Sequence, residues 1–194
     1  MNPGPSTSAW RDTVATTLGS GNLRDALRLP MGENRNEWLA VNLMDLVNQV
    51  RMMYGVVYGE QCNSQTCTTM STFGREYVWG FDEKELHTTA PTYVDLTLKG
   101  CQMMMDDEQI FPSVIGKNFP PDFDEVCKKM MRRLFRVYAH VYHSHEDYFK
   151  SLRAYAHLNT SFKQFIIFAA QFNLIDEEEL TPLRHIIDEV IGLV

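Results

Sequence analysis

Apolar positions recur at helical spacing over most of the chain. From Asn36 to Tyr54 they fall at Trp38, Leu39, Val41, Leu43, Met44, Leu46, Val47, Val50 and Met53, which suits a helix packed on much of its circumference. Gly55 and Gly59 bracket its end. A second helix starts near Pro91 or Thr92, with Thr89 or Thr92 as cap, and runs to about Met105. The clearest pattern covers about 122 to 142. A helical stretch near 146 to 157 follows, then a helix after Asn159-Thr-Ser161 to about Phe172, and a last one capped near Thr181-Pro182. Leu18-Gly-Ser-Gly-Asn22 and Leu29-Pro-Met-Gly32 are breaks. Residues 60 to 75 are polar and read as a loop; residues 106 to 120, with Pro112, Gly116 and Pro120, read as a connection. Tyr77-Val-Trp79 suggests a short hairpin. Five or more helices with short links predict an all-α bundle. Residues 1 to 8 read as a flexible arm, and residues 9 to 194 as one helical domain.

The helix from Asp122 to Tyr142 separates into two faces at 100° per residue. Phe123, Val126, Cys127, Met130, Met131, Leu134, Val137, Tyr138 and Val141 share one broad arc and are expected in the core. Lys128, Lys129, Arg132, Arg133, Arg136, His140 and His143 share the opposite arc. One reading of this basic face is a solvated surface balanced by acids such as Asp106, Asp107 and Glu108. The other is an anion site. Arg132, Arg133 and Arg136 can present guanidinium forks to a phosphate. The patch is small and lacks interleaved exposed aromatics, so a phosphorylated peptide fits it better than nucleic acid.

Composition narrows the classes. The 194 residues carry 44% apolar and 11% aromatic residues, enough for an ample core and too many for general disorder. A formal charge of −7 argues against non-specific binding to DNA or anionic membranes. No run of about 18 apolar residues occurs, so no membrane span is expected. The first eight residues lack the basic and apolar regions of a signal peptide. A reducing cytoplasmic or nuclear setting is therefore expected, where cysteines serve as metal ligands or core residues rather than disulfides. Cys101 and Cys127 sit in apolar helical patterns and read as core.

Cys62 and Cys67 are different: they form a spaced pair in a polar loop. More than seventy residues later comes His140-Val-Tyr-His143-Ser-His145. Two thiolates and two imidazoles can hold a tetrahedral zinc with no open position, a structural staple rather than a reactive centre. His140 and His143 share a helix face, whereas His145 points elsewhere on an unbroken helix. Either His140 and His143 bind, or the helix ends near Tyr142 and His145 swings in. Three catalytic or nucleic-acid zinc patterns fail. His145-Glu146 has no histidine three residues on, the doublets are too far apart for a finger, and the glutamate is out of register with the deaminase signature. No phosphate-binding glycine loop and no nucleophile elbow are present.

Several stretches together resemble the Mob (Mps one binder) kinase-activator family. They are Thr17-Leu-Gly-Ser-Gly-Asn-Leu-Arg24, Asn36-Glu-Trp-Leu-Ala-Val-Asn42, Cys62 with Cys67, Leu134-Phe-Arg-Val-Tyr-Ala-His-Val-Tyr-His143, Ala156-His-Leu-Asn-Thr-Ser-Phe162 and Phe172-Asn-Leu-Ile-Asp176. They keep the family's order over roughly residues 16 to 193 and are similar to its NDR/LATS-activating branch. The resemblance implies a four-helix-bundle core with additional short helices, a small β-hairpin, one structural zinc and no catalytic activity. The implied zinc ligands are Cys62, Cys67, His140 and His145. The implied phosphopeptide pocket is Arg132, Arg133 and Arg136, with Glu83 standing where a basic residue is common. The implied kinase-binding face is Glu33, Glu37, Trp38, Val41 and Asp45, of which Glu37, Val41 and Asp45 form one helical stripe. Thr17 matches a regulatory phosphorylation position.

The expected partners are thus an NDR/LATS-type kinase and a phosphorylated upstream kinase or scaffold, in Hippo-type and mitotic-exit signalling, with no nucleic acid, no membrane and a monomeric state. The cytoplasm is the expected site, with the nucleus, spindle poles and basal bodies beside it. A phocein-like scaffold without kinase activation and a zinc-dependent hydrolase are the alternatives.

Overall fold

A computed structural model describes residues 21–81, 84–114 and 116–192. The arm at residues 1 to 8, Thr17 and Glu83 lie outside the described residues. The first described element, α1 (Gly21–Ala26), begins inside the stretch read as a break. Helix α2 (Arg35–Gly55) matches its expected span within a residue. Asn34 caps it, its side chain accepting from the amides of Asn36 and Glu37 at 2.8 and 3.3 Å. Helix α3 (Ala90–Asp106) is capped by Thr89, with Pro91 in its first turn, where a missing N–H costs nothing.

The longest helix, α4 (Phe123–Ser151), differs most from expectation. The sequence pattern predicted an end near Tyr142 and a separate stretch from 146 to 157. Instead the backbone runs unbroken for 29 residues. Its polar segment from His143 to Asp147 contains neither Gly nor Pro, so loss of apolar period marks only solvent on one side, not a break. The stop comes where Arg153 takes a left-handed backbone, φ 57°, and the amide of Ala154 reaches back to the carbonyl of Phe149 at 2.9 Å. Helix α5 (Tyr155–Phe172) then starts at once, so Asn159-Thr-Ser161 is helix interior rather than a start signal. Asn173 in the left-handed region ends it. A short helix α6 (Glu177–Leu180) and a 3₁₀ turn at Thr181–Leu183 precede α7 (Arg184–Ile191).

The four long helices pack on one another, with α4 touching α2, α3 and α5. Their shared core is rich in rings. Phe162 of α5 lies 5.1 Å from both Tyr138 and Tyr142, 6.3 Å from Phe135 and 6.5 Å from Phe165. Two buried phenols of this core have partners: Tyr138 shares a 2.6 Å hydrogen bond with Ser161, and Tyr142 donates to Asn159 at 2.9 Å. Cys101 and Cys127 are core residues, and burial pushes both thiols up to about 12.

Two antiparallel hairpins accompany the helices. Strands β1 (Ser71–Thr72) and β2 (Arg75–Glu76) form inside the segment expected to be loop. Strands β3 (Trp79–Phe81) and β4 (Lys84–Leu86) form the second, so Tyr77 and Val78 link the two hairpins. The first turn places Phe73 at φ 36° and Gly74 at φ 82°. Two-residue hairpin turns favour positive φ, but phenylalanine is an uncommon choice for it, which hides the hairpin from sequence reading. Edge contacts from His143 at 4.7 Å and His185 at 5.4 Å hold the Phe73 ring. No described helix is long and apolar enough to cross a membrane.

Phe162 therefore anchors the packing of α4 against α5. Phe162→Ala is expected to cost about 3–5 kcal/mol of unfolding free energy, measured by urea denaturation. A loss below about 1 kcal/mol would mean that the aromatic cluster is not the centre of the core.

Candidate functional site

The two cysteines are presented by a tightly hydrogen-bonded loop. After α2 ends, the amides of Gln61 and Cys62 both donate to the carbonyl of Val57, at 3.1 and 2.8 Å, and Gly59 closes the turn with φ 87°. The side chain of Asn63 then accepts from the amides of Gln65 and Thr66, at 2.9 and 3.1 Å. That turn returns the chain so that Cys67 donates its amide to the Asn63 carbonyl. Cys62 and Cys67 consequently face the same point, where His140 and His145 of α4 meet them.

The four ligand atoms lie within 4.8 Å of one another, and all four residues are buried. Cys62 Sγ is 3.5 Å from His140 Nε2, and Cys67 Sγ is 3.5 Å from His145 Nε2. A tetrahedron with Zn–S of about 2.3 Å and Zn–N of about 2.0–2.1 Å has S···N edges of about 3.5–3.6 Å, so the donor set fits zinc. His140 Nδ1 faces the carbonyl of Ser71 at 3.3 Å, an arrangement that leaves Nε2 as the lone-pair nitrogen aimed at the cluster. Burial lowers the pKa of both imidazoles, that of His145 to about 4, which keeps them neutral and able to ligate. Burial likewise pushes the Cys62 thiol up to about 12, so its thiolate needs a cation beside it. No carboxylate belongs to the cluster. Glu146 is turned to Lys150 at 2.9 Å.

His145 therefore reaches the cluster without any break in the helix. On an ideal helix His140 and His145 are about 140° apart, and the two rings reach one point from either side of Ser144. Their centroids are 5.1 Å apart, and Ser144 lines the same cleft. His143 is exposed and packs on Phe73 instead. His140, expected on the solvated arc, is buried.

Two turns back along α4, the basic residues line a cavity of about 450 Å³. Its far wall is Trp79 and Gly80 of β3, with Tyr93 of α3 behind. Arg133 lies over the Trp79 ring at 4.1 Å and donates to the Gly80 carbonyl at 3.3 Å. Arg136 is held more firmly. It forks onto Glu179 of α6 at 2.6 and 3.4 Å, donates to the Tyr93 hydroxyl at 3.0 Å and covers Tyr77 at 4.9 Å. Burial works against its charge, but Glu179 and Tyr93 together raise its pKa. Lys128 pairs with Glu125 at 2.8 Å. The acids that balance this face are thus Glu125 and Glu179; Asp106, Asp107 and Glu108 lie elsewhere. Arg132, Arg133 and Arg136 are brought together as expected, and Lys129, read only as part of the basic arc, joins them in the cavity.

The acidic residues of α2 occupy a different side. Glu37, Val41 and Met44 form one wall of a groove of about 520 Å³. Its other wall comes from the end of α3 and the following connection, with Asp106, Glu108, Phe111 and Phe119. Val41 and Met44 are exposed large apolar residues, 59% and 47% accessible. Glu33 and Asp45 are exposed beside the groove rather than in its lining. Trp38 packs inward and donates its indole N–H to the Leu27 carbonyl at 3.2 Å, which ties α1 to α2. The far wall was invisible to sequence reading because periodicity cannot place a connection against a helix.

A family model described as the Mob1/phocein family matches residues 15–183. A MOB kinase activator-like 1B from Arabidopsis thaliana is 47% identical over 186 residues, covering 94% of this chain and 86% of that protein. A MOB kinase activator-like 1A from Medicago sativa subsp. falcata is 47% identical over 184 residues, 93% of this chain and 85% of that protein. A MOB kinase activator-like 1 homolog A from Dictyostelium discoideum is 48% identical over 179 residues, 90% of this chain and 84% of that protein.

The metal fit gives a measurable expectation. Elemental analysis of the purified chain should find one zinc per chain, and Cys62→Ser should release it. A structural zinc contributes on the order of 10 kcal/mol of coupled folding energy. Losing even about half of that lowers the melting temperature by roughly 10–20 °C for a chain of this size. Full-length zinc-free protein with an unchanged melting temperature would rule the staple out.

Proposed function

The chain belongs to the Mob1/phocein family, whose members are regulators rather than enzymes, and on that premise we propose that it is a non-enzymatic co-activator of an NDR/LATS-type serine/threonine kinase. The observation that carries the reading is the groove between α2 and the end of α3. It combines exposed apolar residues, Val41 and Met44, with carboxylates on both walls, Glu37 on one and Asp106 and Glu108 on the other. Such a groove suits a basic amphipathic segment, whose apolar side fills the floor while its cations meet the rim. The N-terminal regulatory region of the kinase is the proposed occupant, engaging Glu33, Glu37, Trp38, Val41 and Asp45. Activation then requires the chain to bind the kinase's active arrangement more tightly than its inactive one.

The basic cavity on α4 would dock a phosphorylated upstream kinase or scaffold through Arg132, Arg133 and Arg136. The Cys62–Cys67–His140–His145 centre would hold a structural zinc. This metal supplies no chemistry to a substrate; it fixes the cysteine loop to the helix that carries the basic cavity. Thr17, outside the described residues, is a proposed regulatory phosphorylation site. A monomeric adaptor of Hippo-type or mitotic-exit signalling follows, in the cytoplasm and at spindle poles, basal bodies or the nucleus.

Glu37→Lys combined with Asp45→Lys should abolish pull-down of an NDR/LATS-type regulatory segment, with the melting temperature lowered by only a few degrees. Retained binding at moderate salt counts against the groove. Wild-type binding without any rise in kinase activity would instead indicate a phocein-like scaffold. Arg132→Ala combined with Arg133→Ala should abolish binding of phosphothreonine peptides in a fluorescence titration; equal affinity for variant and wild type would sink the pocket.

A further inference from the structure

We propose that Tyr54 is a positioning residue of the metal centre: its hydroxyl donates to the Cys62 sulfur and so secures the last turn of α2 to the cluster. The assignment rests on the zinc reading of Cys62, Cys67, His140 and His145.

Tyr54 holds the first cysteine by two routes. Along the backbone, its carbonyl accepts from the amides of Val57 and Tyr58 at 3.0 and 3.1 Å, and the Val57 carbonyl in turn accepts from Gln61 and Cys62. Those bonds fold residues 57 to 62 back over the end of the helix. Through the side chain, the Tyr54 hydroxyl lies 3.4 Å from Cys62 Sγ, within hydrogen-bonding range for sulfur. That sulfur is the hydroxyl's only hydrogen-bond partner among the described residues. Water does not compete for the contact, because Tyr54 is 5% accessible and Cys62 is fully buried. A phenol is protonated at neutral pH and has one proton to give. The bond gains most when the acceptor is a metal-bound thiolate, since a charged sulfur is a stronger acceptor and an outer hydrogen bond fixes the direction of a ligand.

The cluster has no second donor of this kind. The amides of Cys62 and Cys67 are spent on the carbonyls of Val57 and Asn63. Thr66 Oγ1 is 3.8 Å from Cys67 Sγ, but its single proton is given to the Gln61 carbonyl at 2.9 Å. On the imidazole side, His140 Nδ1 meets the Ser71 carbonyl at 3.3 Å. Cys62 and His140, 3.5 Å apart and the most deeply buried of the four, are thus the pair held from outside. Cys62 alone of the four does not line the cleft over the cluster. Helix α2 gains from the same bond. Its last turn carries no basic side chain to meet the free carbonyls, so the hydroxyl on the cysteine loop is what ties that turn down. Glu37 and Val41, near the other end of α2, then stand on a helix fixed at its base to the metal centre.

The test uses the full chain, loaded with zinc in competition with a chelator and, separately, with cobalt(II), whose thiolate-to-metal charge-transfer absorption reports electron density on the ligating sulfur. Tyr54→Phe keeps the ring and removes only the hydroxyl. It should weaken zinc binding roughly tenfold or more. It should also move the charge-transfer band to longer wavelength, because a sulfur without its hydrogen bond releases electron density more readily. 3-Fluorotyrosine at position 54, a stronger donor of similar size, should move the band to shorter wavelength. Tyr58→Phe alters an exposed neighbouring ring 5.9 Å away and should match the wild type in both measurements. If the band stays in place for both changes at position 54, the assignment is overturned and the zinc reading stands, even where affinity falls, because lost packing lowers affinity without altering the sulfur. If the wild type takes up neither zinc nor cobalt, both are overturned.

Discussion

Two thiol sulfurs from a loop and two imidazole nitrogens from the second half of a 29-residue helix sit buried within 4.8 Å of one another. The buried Cys62 thiol with its raised pKa and the buried imidazoles with lowered pKa form a poor environment for themselves and a good one for a soft divalent cation. The positions of neighbouring elements follow from this arrangement. The loop from Val57 to Cys67 must cross to α4, and strand β1 must run beside that helix. Thr72 donates its hydroxyl to the Ala139 carbonyl there, and the Ser71 carbonyl faces His140. The amide of Ala90, at the start of α3, is tied to the carbonyl of Cys67. One cluster thus joins the end of α2, the first hairpin, the beginning of α3 and the middle of α4.

Helix α4 is where the core and the candidate binding chemistry meet. One face buries Phe123, Met130, Leu134 and Tyr138 against α2 and α5. The other carries the basic cavity and, two turns on, His140 and His145. Rigid support follows from this geometry. The cations lie on a helix held by its own core at one end of the cavity and by the contacts of Cys62 and Cys67 with His140 and His145 at the other, so their spacing does not depend on a mobile loop. The acidic groove is built differently, from α2 on one side and a connection rich in turns on the other. Val41, Met44 and Val114 are exposed apolar residues of this groove, which is the usual mark of a surface completed by a partner.

Local sequence features made much of this legible. The Thr89 cap of α3 and the run of apolar positions in α2 marked those helices within a residue or two, because caps and period are properties of adjacent residues. The four residues that could hold a metal were legible by residue type and by family resemblance. The geometry that joins them was not. A helix with a polar segment at residues 143 to 147 reads as ending when only its own period is consulted. It continues because one side of it is solvated and the other is pinned by His145. The hairpin at Phe73 escaped notice for a related reason: its turn uses a ring held by two histidines from distant helices in place of the asparagine that a local turn would favour.

By itself the sequence determined the helical character, the core face of α4, the ligand types and the presence of concentrated positive charge, all of which depend on side-chain chemistry at short range. Only the tertiary structure decided which charges are still available. Glu179 lies 43 residues beyond Arg136 and neutralises it, and Trp79 and Gly80 lie more than fifty residues before Arg133 and engage it. Ion pairs and cation–π contacts act over a few ångströms, and no spacing along the chain reveals which distant groups will come that close. The basic arc was therefore visible as a set of five cations, and its division into structural and available members was a property of the fold.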